Sequence, residues 1–200
     1  MKHRQAREAT TRGYRGRRRR DATPSRCPFG ILEVKQKQFN VVYGNSLETS
    51  DFILDCLEHW WRYNKRRHLG VTKLQIDLDN GPEIESHRTQ FIKRIVEFSD
   101  KTKLPIELVY YPPYHSKYNP VEHCWGVLES HWSGALLTDL TAVREWAKTM
   151  RWDGIAPNVY FLDREYVSGV KMTKKEMKPY SQRLLRTTNI EQWSVFISPS

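Results

Sequence analysis

Leu74-Gln75-Ile76-Asp77-Leu78-Asp79-Asn80-Gly81-Pro82 is the stretch on which the fold turns. Leu74, Ile76 and Leu78 alternate with Gln75, Asp77 and Asp79, the two-residue period of a strand with one apolar face. Asn80-Gly81-Pro82 then ends it sharply. Downstream the period lengthens: Phe91, Ile92, Ile95, Val96 and Ser99 place a helix over residues 85–101. Residues 104–111 read as a second strand, closed by Pro112-Pro113. After a polar loop, Asn119-Pro120 opens a helix running to about Trp132. Leu140, Val143, Trp146, Ala147 and Met150 suggest another.

Upstream, Phe52, Ile53, Cys56, Leu57, Trp60 and Asn64 share one helical face, and Lys65-Arg66-Arg67-His68 sits where a helix C-terminus favours cations. Residues 30–43 read as a β-hairpin: Ile31 to Val34 and Phe39 to Tyr43, joined by the four polar residues Lys35-Gln36-Lys37-Gln38. Beyond Arg151 the pattern weakens, and residues 171–186 suggest one more exposed helix. Strands alternating with helices give an α/β class with some parallel pairing and an antiparallel hairpin at its start.

The 200 residues carry a formal net charge of +10, unevenly placed. Residues 1–26 hold ten basic and two acidic side chains, net +8, while the other 174 hold 23 against 21. Nine of the ten are Arg, with few apolar residues among them, so this head is expected to lack the burial needed to order it. The organisation expected is therefore a disordered arginine-rich segment (1–27), a folded domain (28–150) and a C-terminal extension (151–200). No apolar run reaches the roughly 20 residues that cross a bilayer, and no apolar core follows the basic start, so a cytoplasmic location is expected. Cys27, Cys56 and Cys124 are odd in number and widely spaced, which points to buried free thiols rather than a disulfide or zinc framework.

Two places can carry chemistry. Asp77 and Asp79 fall on one side of their strand, and Asp79 stands at its C-terminal end, where open α/β sheets hold ligands and a carboxylate can bind a hard cation. Asp79-Asn80-Gly81-Pro82 is equally strong turn chemistry. Glu122 is the third residue of the helix that Asn119 caps, so it fits a capping box as well as a ligand. Gly126, inside that helix, costs about 1 kcal/mol relative to Ala and points to close approach of a backbone or ligand.

Taken together, the two places resemble the second half of the catalytic core of DDE transposases. The match rests on Tyr111-Pro112-Pro113-Tyr114-His115-Ser116-Lys117-Tyr118-Asn119-Pro120-Val121-Glu122-His123-Cys124-Trp125-Gly126, which is similar to the ISAzo-type insertion-sequence group. Leu78-Asp79-Asn80-Gly81-Pro82-Glu83, Arg88-Thr89-Gln90-Phe91 and Lys175-Glu176-Met177-Lys178-Pro179 carry it further, from about Pro28 onward.

The resemblance implies an RNase H-like fold in which three acids hold two Mg²⁺ or Mn²⁺ ions that drive cutting and joining of DNA. Asp79 matches the second acid and Glu122 the third, as catalytic residues and metal ligands, with Asn80 and Asn119 supporting; Asp77 is a supporting candidate by its place on the strand, a role the match does not assign. His115 and Lys117 are candidates for DNA phosphate contact, as are Arg17, Arg18, Arg19 and Arg20. The first acid belongs on a strand before the hairpin, where this chain has its arginine-rich head; Asp21 has no strand pattern around it, and Glu33 lies on the hairpin itself, one strand too late. The expectation is an incomplete core lacking its first central strand, from a truncated or frame-shifted gene copy, with metal binding weak and activity lost. The other readings are a non-catalytic nucleic-acid-binding module and a remnant that joins full-length transposases.

Overall fold

A computed structural model describes residues 7–13, 27–79, 81–112, 118–132 and 140–200. Its strands are β1 (Arg7–Gly13), β2 (Cys27–Glu33), β3 (Gln38–Gly44), β4 (Leu74–Leu78), β5 (Ile106–Tyr110), β6 (Asn158–Leu162), β7 (Leu184–Arg186) and β8 (Ser194–Ile197). The helices are α1 (Ser50–Asn64), α2 (Thr89–Thr102), α3 (Pro120–Trp132), α4 (Leu140–Thr149) and α5 (Lys174–Ser181). All eight strands form one mixed sheet in the order β6-β3-β2-β1-β4-β5-β8-β7. β1, β4 and β5 run parallel, β2 is antiparallel to both β1 and β3, and β6 pairs parallel with β3.

Alternation along the strands supplies a core on each side of the sheet. Phe29, Ile31, Leu74, Ile76 and Leu78 pack with the apolar faces of α1 and α2, including Phe52, Ile53, Trp60, Phe91 and Ile95. Leu32, Phe39, Val41 and Tyr43 pack instead with Val121, Cys124, Trp125 and Leu128 of α3 and Val143 and Ala147 of α4. The expected face of α1 is buried throughout, and its N-terminus is capped by Thr49, whose hydroxyl accepts from the Phe52 amide at 3.2 Å. Arg94 on α2 ties the two helices together by bridging Asp51 at 2.6 Å and Asp55 at 2.7 Å. The hairpin forms as read, its link being a short 3₁₀ turn ended by Lys37 in the left-handed region at φ 53°.

Two expectations are corrected. Arg7–Gly13, read as part of an unstructured head, is a strand hydrogen-bonded to β2 on one side and β4 on the other, so the sheet has no missing central strand. Glu8 to Gly13 lacks an apolar alternation, which is why periodicity did not reveal it: a central strand is held by ladders on both edges, whatever its pattern. Residues 14–26, including Arg17 to Arg20 and Asp21, lie outside the described residues.

The region after residue 151 is the second. It supplies both edges of the sheet, with β6 on β3 and β8 antiparallel to β5. The helix expected over residues 171–186 stops at Ser181, with Pro179 near its end, and Leu184–Arg186 continues as a strand. Every residue of β6 is half-buried, so no burial contrast marked it in the sequence. Among the described residues no helix is long and apolar enough to cross a membrane.

Candidate functional site

Asp77 is buried near the end of β4 and accepts a 2.8 Å hydrogen bond from Gln75 Nε2, two residues back on the same side of the strand. Because Leu74, Ile76 and Leu78 fill the α1/α2 core, Gln75 and Asp77 face the α3/α4 side. Asp79, half-buried, directly follows the strand. The turn reading is also realised: the Ile84 amide donates to the Gly81 carbonyl at 3.0 Å. A Cβ placed on Gly81 would lie 3.7 Å from Asp79 Oδ1, so the chain folds back in ordinary contact with the carboxylate. Asn80 lies outside the described residues.

Three side chains that the sequence reading gave no role hold this loop. The Ser50 hydroxyl donates to the Glu83 carbonyl at 2.7 Å, and Arg88 donates to the Glu83 carboxylate at 3.0 Å. Arg186, from β7, donates to the Ser86 carbonyl at 2.5 Å. Glu83 and Arg88 stood in the recognised motifs, but nothing local indicated that they would clamp the segment after Asp79 to α1.

Asn119 caps α3 as expected: it is fully buried, its Oδ1 accepts from the Val121 amide at 3.4 Å and its carbonyl accepts from the Glu122 amide at 3.0 Å. Glu122 is half-buried in the first turn. One turn on, the Trp125 indole meets Phe39 edge-on at 5.4 Å and lies over Gly30, where an added Cβ would come within 2.8 Å of it. The close approach expected at Gly126 is therefore made at Gly30; Gly126 itself is exposed, and a Cβ added there would meet nothing within 4 Å among the described residues. Gly30 pairs with Arg12, so Trp125 seats α3 over the C-terminal half of β1. Three residues of helix span about 4.5 Å, which keeps Glu122 close to that end of the sheet. Burial pushes the neighbouring Cys124 thiol up to about 12, so it is a packed, unreactive group.

The β1–β4 register sets what stands beside Asp77. Glu8 pairs with Gln75, Thr10 with Asp77 and Thr11 with Leu78, where the ladder ends; Arg12 and Asp79 are the residues that follow on each side. Glu33 does not substitute. It pairs with Ala9, which pairs with Ile76, so it belongs to the opposite side of the sheet from Asp77. There its buried carboxylate accepts from Trp60 Nε1 and Asn40 Nδ2, each at 3.1 Å, and meets His68 Nε2 at 3.1 Å. Burial alone would raise its pKa; the hydrogen bonds from His68, Trp60 and Asn40 and the charge of Arg67 outweigh that and hold it below the usual carboxylate value. His115 and Lys117 lie outside the described residues. Among the described residues no three His, Cys, Asp or Glu side chains gather into a metal-binding group.

The chain matches the model of the Rhodopirellula transposase DDE domain over residues 3–199. It belongs to that family. The match starts at residue 3, which corrects the expectation that the resemblance begins near Pro28 and takes the strand β1 into the transposase domain. DDE transposases act on DNA and use divalent metal ions. No curated protein matches the chain.

Proposed function

We propose that this transposase domain has an RNase H-like core, keeps the second and third acids as Asp79 and Glu122, and lacks the first. It would then not complete strand transfer by itself. The order β3-β2-β1-β4-β5, an antiparallel hairpin beside parallel strands, supports the fold assignment. The observation that carries the functional reading is the β1–β4 register, which sets Thr10 beside Asp77 and ends at Thr11 and Leu78, with Arg12 and Asp79 the next residue on each chain segment. A threonine hydroxyl is a poor substitute for a carboxylate, and a guanidinium has no acceptor at all. Hard divalent ions take six or more oxygens and are anchored by carboxylates. Asp79 and Glu122 are enough to anchor one ion weakly, with Asp77 and Asn80 in support, but this donor set does not fit a two-ion centre.

What remains to such a chain is binding, to DNA or to a full-length transposase. By residue type, Arg17 to Arg20, His115 and Lys117 are the candidate phosphate contacts. Because Arg7–Gly13 is a central strand, deleting the head would dismantle the sheet, so this is tested by replacing Arg17 to Arg20 with Gln, which should weaken DNA binding and flatten its salt dependence. Catalysis is tested by incubating labelled DNA with the protein and Mg²⁺ or Mn²⁺. No nicking or joining above background is expected, with Asp79→Ala indistinguishable from the parent; divalent-dependent cleavage that Asp79→Ala abolishes would overturn the reading.

A further inference from the structure

A cleft of about 460 Å³ lies between α2, α5 and β7, away from the α3/α4 side that carries Asp77. Its apolar lining is Ile92, Met172, Met177 and Leu184. His87, Lys174 and Arg186 supply its ionisable side chains, with no acidic residue among those lining it. His87 is exposed and meets Glu85 at 3.2 Å, so Lys174 and Arg186 are the stronger cations. Arg186 is fixed in place by donating to the Ser86 and Glu191 carbonyls, at 2.5 and 2.8 Å; a guanidinium carries five donors, so further N–H groups are left for a ligand.

A cavity of this size accepts a small organic molecule. Its chemistry asks for an anion with a flat apolar body: the methionine thioethers favour aromatic rings, and the cations favour phosphate or carboxylate. Position narrows this further. His87 and Thr89, at the start of α2, line the cleft, so it borders the segment that joins Asp79 to α2. We infer that the cleft holds one unstacked nucleotide of single-stranded DNA, the base against Met172, Met177 and Ile92 and a phosphate at Lys174 and Arg186. This rests on DNA being the partner of the family, but not on the state of the acid triad.

The test is fluorescence anisotropy in EDTA, with a labelled thymidine oligonucleotide compared with an abasic oligonucleotide of the same length. The intact chain should bind the thymidine strand at least about fivefold more tightly, since burying one base face is worth on the order of a factor of five or more. Ser181→Trp fills the cleft from an exposed position and should remove the preference for the base-bearing strand, while Lys174→Glu reverses its charge and should weaken binding of both strands, with the thermal midpoint unchanged as a check on folding. Equal affinity of the intact chain for the two strands, a preference that survives Ser181→Trp, or affinity unchanged in Lys174→Glu would overturn the cleft assignment while leaving the catalytic reading intact. Metal-dependent cleavage would do the reverse.

Discussion

β1 and β4 lie side by side in parallel, paired from Arg7 with Leu74 to Thr11 with Leu78, and they hold their places for different reasons. β4 is written into its own residues: Leu74, Ile76 and Leu78 are buried in one core, Gln75 and Asp77 hydrogen-bond to each other on the other side, and the polar turn follows at once. β1 has no such signature. Its place comes from ladders to β2 and β4, two strands that would otherwise each leave an unpaired edge in the middle of the sheet. A strand can therefore hold the centre of a sheet through its ladders alone, with no apolar pattern of its own.

The largest effect should come from breaking the ladder of β1. Thr10→Pro removes a backbone donor from a strand paired on both sides and should cost at least about 3 kcal/mol, read by urea denaturation. A cost near zero would mean that residues 7–13 do not hold the centre of the sheet. Next is Glu33, registered with Ala9 of β1 but committed to the opposite side from Asp77. Glu33→Ala strands Trp60, Asn40 and His68 and should cost about 3 kcal/mol. Since the folded pKa of Glu33 lies below its ordinary value of 4.5, its contribution is complete above about pH 4.5 and is lost as the pH falls through the folded value. The acid limb of the stability profile should therefore flatten in the variant.

A smaller effect sharpens the chemical half of the comparison. Arg12→Asp places a carboxylate on the residue that follows the ladder on β1, as Asp79 follows it on β4, and should raise Mn²⁺ affinity about tenfold or more by calorimetry, an increase that Asp79→Ala in the same background removes; a tenfold change is about 1.4 kcal/mol. Thr10→Asp, two residues away along the strand, should gain less. The smallest signal is the reactivity of the thiols. Burial, reinforced by the charge of Glu48, pushes Cys27 up to about 12, and burial does the same for Cys124, so both should resist alkylation at pH 8. Thr10→Pro should make them react, because opening the centre of the sheet exposes β2.

Much of this is legible in short stretches of sequence. The hairpin, the buried face of α1, the strand Leu74–Leu78 and the Asn119 cap each follow from residues within a few positions of one another, where periodicity and capping chemistry act directly. The strands β1, β6 and β8 are not legible in that way, because what holds them is pairing with residues far away in sequence. Gly126 and Gly30 make the same point at the scale of one contact. A glycine inside a helix looks like the place of close approach, yet the helix presses on the sheet through Trp125, and the glycine that this requires lies on β2.

The sequence by itself determined the α/β class, the two acids at the ends of a strand and a loop, and the DNA-transposase motifs, because each depends on the identity and spacing of nearby residues. Only the tertiary structure decided that Arg7–Gly13 completes the sheet, that Glu33 serves the opposite core, and that Thr10 occupies the ladder position beside Asp77. Those are statements of register between strands well separated in sequence, and register is set by the whole set of ladders and two packed faces rather than by any segment alone.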